Sequence, residues 1–177
     1  MCFHSLMFAV DLGSEYSTHF LPPSLKMFAN HILERGYEYY LENAVENAEN
    51  ALGKAEEIAD FTIVCPHWGT EYELLHSEQQ KITAMWLVEQ GADLIIGCHP
   101  HVVQDTTMID GVPVAYSLGN LVSNMSAPNT QIGLMITVRY IRKNNGDIKM
   151  LPLELTHLWC SRPGGYCDSY TVLCRKT

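Results

Sequence analysis

Positive charge is scarce in this chain. Lys and Arg number 11 against 20 Asp and Glu, so the formal net charge is −9. A surface of that sign repels a polyphosphate backbone, and the basic residues are too dispersed to form a stripe, so nucleic acid is not expected as a partner. The same sign does not exclude a phosphate-handling site, because bound metal ions reverse the local charge. Long apolar runs are also missing. No window approaches the roughly 18 apolar residues that a membrane span requires. The first ten residues, MCFHSLMFAV, carry no Lys or Arg and are closed by Asp11, so no signal peptide is read there. Internal repeats and low-complexity tracts are absent.

Cysteine is present, but not in a CxxC pair, which argues against a zinc ribbon. The six are Cys2, Cys65, Cys98, Cys160, Cys167 and Cys174. Two belong to strand-like segments of buried type, where a reduced thiol acts as a small hydrophobe. The last three recur every seven residues and read as adventitious thiols. An even count permits disulfides without demonstrating any, so the redox compartment stays open.

What remains is the composition of a globular domain. The chain has 177 residues, 47% of them hydrophobic and 18% charged, which suits one domain with a real core. A short strand is expected around Met7–Leu12. Pro22-Pro23 breaks the chain, and Ser24 caps a helix with Leu25, Phe28, Ile32 and Leu33 on one face, ending near Gly36. A second helix is expected from about Leu41 to Ala59. Its apolar positions, Leu41, Val45, Ala48, Leu52, Ala55 and Ile58, recur at three- and four-residue steps. Phe61–Cys65 is short, apolar and β-branched, and reads as a buried strand stopped by Pro66. Ser77 and Gln80 form a capping-box pattern for a helix to about Gln90, with Ile82, Met85 and Trp86 facing inward and Gly91 as its stop. Asp93–Gly97 is a further buried strand, ending at Cys98-His99-Pro100-His101.

Residues 61–97 are thus strand, loop, helix, strand, which implies two parallel strands. His67, His99 and His101 then fall just past the carboxyl ends of those strands, where open α/β sheets bind ligands. Beyond them the pattern is all β. Val102–Ile109 and Val112–Ser117 flank Asp110-Gly111, a two-residue hairpin signal. Ile132–Ile141 and Ile148–Leu155 flank a second turn, and the tail from Cys160 reads as irregular.

His99-Pro100-His101 is the sharpest chemical feature. Two histidines one residue apart at a strand end can turn both rings toward one site, and imidazole ligates zinc, manganese, iron and nickel. The bland alternative is a set of hydrogen-bonded loop histidines that hold the turns. Trp68, Trp86 and Tyr116 read as core or site wall, Glu71 and Glu73 as solvated loop acids, and His76 and His157 as surface or edge residues.

The runs ADFTIVCPHWGTEY, GADLIIGCHPHVVQ and GVPVAYSLGNLV together resemble CapA-type capsule and poly-γ-glutamate synthesis proteins, over roughly residues 55–140. These belong to the calcineurin-like metallophosphoesterase superfamily. The resemblance implies an α/β (α+β) fold: a β-sandwich flanked by helices, with a dinuclear metal site at one end. It implies that His67, His99 and His101 are metal ligands, His67 and His99 on one ion and His101 on the other. Ser117 and Asn120 fall in the SLGN segment and Glu71 in the HWGxE segment, with His67, His99, His101 and Asn120 as the implied catalytic residues. The cofactor is a divalent metal, Mn, Zn or Fe, as one or two ions that clamp a phosphoryl group and generate a hydroxide. The implied substrate is a phosphoester or acyl phosphate, with other capsule-synthesis proteins as partners and an envelope-associated setting. The superfamily's N-terminal carboxylate motifs have no counterpart here; Asp11 is the only strand-end Asp before residue 60. The chain is therefore expected to be one domain over residues 1–177, incomplete at its N-terminus. Residues 1–60 form a helical region, 61–157 a recognisable core and 158–177 a tail. The alternative is a non-catalytic accessory, or a degenerate fragment, acting through protein contacts.

Overall fold

The computed structural model describes residues 5–11, 37–144, 148–161 and 170–173. The expected helix after Ser24 and the Pro22-Pro23 break lie outside them. Five strands make one mixed sheet. They are β1 (Ser5–Asp11), β2 (Phe61–His67), β3 (Leu94–Ile96), β4 (Thr106–Ile109) and β5 (Val112–Ala115), in the order β1-β2-β3-β5-β4. All neighbours are parallel except β4 and β5. Helix α1 (Tyr37–Ile58) precedes β2, and α2 (Glu78–Glu89) joins β2 to β3. The expected strand–loop–helix–strand unit is present, with its two strands paired in parallel.

A row of side chains across the sheet explains the core. Val64, Ile95 and Val114 are register partners on β2, β3 and β5, and each is at most 1% exposed. Leu52 of α1 and Ala84 and Leu87 of α2 join them in one cluster with Trp68, Ala92 and Tyr116. Each large aliphatic buried this way contributes about 1.5–3 kcal/mol. Gly53 lies within α1 without breaking it. Ile58, expected on the buried face, is 66% exposed at the end of the helix.

The α2 capping box is present: the Ser77 hydroxyl accepts from the Gln80 N–H, and the Gln80 side chain accepts from the Ser77 N–H. The buried face of α2 differs from expectation. Gln80, Ala84 and Leu87 are buried, whereas Ile82 and Met85 are exposed and Trp86 is half-buried. The helix has no strong apolar stripe, and a polar anchor sets its rotation: Gln80 Nε2 donates to Gln104 Oε1 at 2.9 Å.

Pro66 does not stop β2, which runs on to His67. The proline removes one ladder donor but keeps its acceptor, since its carbonyl accepts from the Cys98 N–H at 3.0 Å. Asp110-Gly111 makes the β4–β5 hairpin turn with φ of 48° and 87°, the primed geometry that those residue types favour.

The second expected hairpin is split. β6 (Ile132–Thr137) pairs with β9 (Glu154–Ser161), while β7 (Tyr140–Arg142) pairs with β8 (Ile148–Met150). Residues 138–139 and 151–153 interrupt the two arms, and Pro152 can donate no ladder bond there. The tail is not wholly irregular: β10 (Tyr170–Leu173) returns antiparallel to β9, giving a sheet of order β10-β9-β6. Cys160 is buried on β9, where its sulfur accepts from the Ser123 N–H and donates to the Ser123 carbonyl, both at 3.2 Å. The chain is therefore α+β, with mixed and antiparallel sheets and two helices among the described residues.

Candidate metal centre at the strand ends

Parallel pairing sets the positions of the histidines. His67 is the last residue of β2, and a bridge from His67 to Cys98 carries the β2–β3 pairing two residues past the end of β3. His99 and His101 follow in the turn. The ring centroids of His67 and His99 are 4.6 Å apart, and those of His99 and His101 are 6.1 Å apart. The sheet also brings Asp11 to this edge, as the register partner of His67 at the end of β1.

The backbone here is strained in a way that places rings. Among the described residues, three of the five non-glycine residues with positive φ belong to this edge: Tyr72 (68°), His99 (106°) and His101 (60°). Such conformations cost about 1–3 kcal/mol each and cluster at functional sites. The strained turn is fastened from below. Trp68 Nε1 donates to the Tyr116 carbonyl at 2.8 Å across Gly97. A Cβ on Gly97 would stand 2.1 Å from that carbonyl and 2.3 Å from Trp68 Nε1, so only glycine fits.

Asn120 orients His101. Its Nδ2 donates to the His101 and Thr130 carbonyls, at 3.2 and 3.1 Å, and its Oδ1 lies 3.0 Å from His101 Nδ1. An amide oxygen only accepts, so His101 Nδ1 donates to it, and in the neutral ring Nε2 is the nitrogen that carries the lone pair. A partner on one ring nitrogen that frees the other is the usual support of a metal-ligating histidine. Glu71 Oε1 lies 3.8 Å from that Nε2, and the Tyr72 ring stacks near His101 with centroids 6.4 Å apart. Partial desolvation, then the Glu71 carboxylate, pushes the Tyr72 hydroxyl upward. Glu71 is thus exposed, as expected of a loop acid, yet it faces a histidine. Ser117 is buried and its hydroxyl accepts from the Gly119 N–H, which shapes the loop rather than the site.

The donor types fit a divalent ion: imidazoles, a thiol and a carboxylate stand at one strand edge. They do so as pairs, Cys98 with His67 and Glu71 with His101, on either side of His99. Among the described residues no three such side chains are closed around one point.

Sequence reasoning missed His76. Its Nδ1 lies 3.0 and 2.8 Å from the two Asp105 oxygens, its backbone N–H donates to Asp105 at 3.2 Å, and its ring stacks on Tyr116 at 3.9 Å. Burial works to raise the Asp105 carboxyl, but the His76 hydrogen bonds outweigh it and hold Asp105 below the ordinary range. With Gln104, which donates to the Glu73 and Leu75 carbonyls, this pair staples the loop that carries Glu71 and Tyr72. Nothing local in the sequence announces a contact between residues 29 apart. Cys98, expected to be buried, is exposed; Cys65 is half-buried, and burial pushes its thiol up.

Comparison with known proteins follows the same residues. The model of the family described as bacterial capsule synthesis protein PGA_cap matches residues 6–125. The chain is 29% identical over 104 residues to the PGA biosynthesis protein CapA of Bacillus subtilis (strain 168), covering 59% of this chain and 27% of that protein. It is 35% identical over 99 residues to the capsule biosynthesis protein CapA of Bacillus anthracis, covering 55% of this chain and 24% of that one. The matched stretch spans about a quarter of the length of these curated relatives. A solved structure described as GAP50, the anchor in the inner membrane complex of Plasmodium, aligns with a TM-score of 0.42 at 15% identity, over 98% of this chain and 50% of that one.

Proposed function

Because the chain belongs to the bacterial capsule synthesis protein PGA_cap family, we propose that its strand-end histidines hold a divalent metal ion and act on a phosphoester or acyl phosphate in cell-envelope polymer synthesis. The observation that carries this reading is the strained edge that gathers His67, His99 and His101, with Asn120 fixing the tautomer of His101. We read the five-stranded sheet and the β10-β9-β6 sheet, joined by the bridge from Gly119 to Gly133, as the two layers of a metallophosphoesterase-like sandwich in a single domain.

The residues divide the work. His67 and His99, whose ring centroids are 4.6 Å apart, would hold the ion, and His101 and Glu71 stand together next to them. A divalent ion bound there would supply Lewis acidity toward a phosphoryl oxygen. Asn120 holds the His101 ring through Nδ1, and the stapled loop sets Glu71 3.8 Å from the opposite nitrogen, Nε2. In its neutral form the His101 ring, bound through Nδ1 to Asn120, would offer Nε2 as a proton acceptor or a ligand.

The test uses the purified full chain with Mn²⁺, Zn²⁺ or Fe²⁺ and a chromogenic phosphate monoester. Metal-dependent hydrolysis, abolished in His99→Ala with the fold intact, is the expected result. Hydrolysis that persists in chelator, or that His99→Ala leaves unchanged, contradicts the reading.

A further inference from the structure

We propose that Tyr72 is a specificity-determining residue of this edge, and that the substrate presents to it an uncharged, flat group esterified to the phosphoryl group. The inference rests on the phosphoester reading above and names what the rest of the substrate is. Tyr72 holds a left-handed backbone, φ 68°, which is unfavourable for an aromatic residue. Burial does not explain it, because Tyr72 is 41% exposed. Its ring lies beside that of His101, with centroids 6.4 Å apart and planes 28° from parallel. The backbone around it is tied down. The Tyr72 N–H donates to the carbonyl of Pro100, between His99 and His101, at 2.8 Å. Gln104 Nε2 donates to the Glu73 and Leu75 carbonyls, and the His76 N–H donates to Asp105. Four hydrogen bonds between residues distant in sequence thus hold a loop whose aromatic side chain stays outside the core. A tyrosine face so placed can stack on a flat group.

Charge decides what that group can be. Between Lys54 and Arg139 the sequence holds a single Lys or Arg, Lys81, and it pairs with Glu78 on α2 at 3.7 Å. The segments that frame the edge, residues 61–76 and 94–123, therefore carry no Lys or Arg, while Glu71 and Glu73 stand exposed on either side of Tyr72. A bound ion would offset the charge of the phosphoryl group. A second anionic group on the substrate meets no cation from these segments and faces Glu71, and a repulsive element of that kind discriminates against it.

Calorimetric titration of the full chain in excess Mn²⁺ with methyl-, phenyl- and 4-carboxyphenylphosphonate tests this without turnover. Phenylphosphonate is expected to bind roughly 2–10-fold more tightly than methylphosphonate, and 4-carboxyphenylphosphonate more weakly than phenylphosphonate. Tyr72→Asn, a residue that tolerates left-handed backbone, should abolish the phenyl preference, and Tyr72→Phe should keep it. A preference that survives Tyr72→Asn overturns the role of Tyr72. So does a parallel fall of the methyl- and phenylphosphonate affinities, since the ring would then only support His101. A carboxyphenyl ligand that binds as tightly as the phenyl one overturns the uncharged group. Methylphosphonate binding with no phenyl preference in the unsubstituted chain overturns the inference and leaves the phosphoester reading standing. No binding of any of the three overturns both. The unsubstituted chain decides even where Tyr72→Asn does not fold.

Discussion

Two turns at the ends of strands in one sheet use left-handed backbone in opposite ways. At Asp110-Gly111 the φ angles of 48° and 87° fall on residue types that adopt them at little cost, and a Cβ on Gly111 would meet nothing within 4 Å. At Cys98–His101 the angles of 106° and 60° fall on histidines, beneath which Gly97 is pinned between Trp68 and Tyr116. The first turn reverses the chain with the easiest chemistry. The second keeps strain that glycine would remove, and what it gains is the placement of two imidazoles. A turn that solves a folding problem can be told from one that serves a site by whether its residues suit its backbone.

The largest expected effect breaks the comparison at its base. Gly97→Ala should lose about 3 kcal/mol or more of stability in denaturant unfolding, because neither a backbone carbonyl nor a packed indole can yield. Gly111→Ala should lose about 1 kcal/mol, from its φ alone. Equal losses would remove the distinction between the two turns.

His99→Gly sharpens it. Relief of the 106° φ should stabilise the chain by about 1 kcal/mol while zinc binding is lost. Stability that falls along with binding would show that the His99 ring supports the fold.

The loop staple comes next. Asp105→Asn should cost about 1 kcal/mol, less than a buried charged hydrogen bond because both partners are partly exposed. The sign with pH follows from the lowered Asp105 carboxyl. Its stabilisation is full above the ordinary carboxylate range and is lost as pH falls through its depressed folded value. Asp93 runs the other way. Burial raises it, the Thr62 N–H opposes and Glu56 adds to the rise, so its ionised form is disfavoured in the folded chain and protonation in mild acid adds stability. Unfolding followed against pH in Asp105→Asn should lack the acid loss seen in the unsubstituted chain.

The smallest effect concerns Tyr116. Its hydroxyl is buried and has no hydrogen-bond partner among the described residues, so Tyr116→Phe should be neutral or stabilising by up to about 1 kcal/mol in thermal unfolding. A clear loss would reveal a partner for that hydroxyl.

How much was legible follows from how local each signal is. The strands at Phe61 and Leu94, the capping box at Ser77 and the Asp110-Gly111 turn rest on neighbouring residues and appear where expected. So does the gathering of His67, His99 and His101 at one edge, since two parallel strands with a helix between them leave little choice. The features missed depend on distant partners. The rotation of α2 follows Gln104, the pairing of His76 waits on Asp105, and β10 exists through β9. Cys98 was read as a small hydrophobe because a cysteine closing an apolar strand looks like core; the bridge to His67 turns it to the surface beside an imidazole.

The most direct test of the centre is zinc stoichiometry by equilibrium dialysis of the full chain and of its His67→Ala/His99→Ala variant. The account predicts at least one tightly held ion per chain, lost in the double variant while the fold persists. A folded chain that holds no zinc, or a double variant that holds as much as its parent, would contradict it.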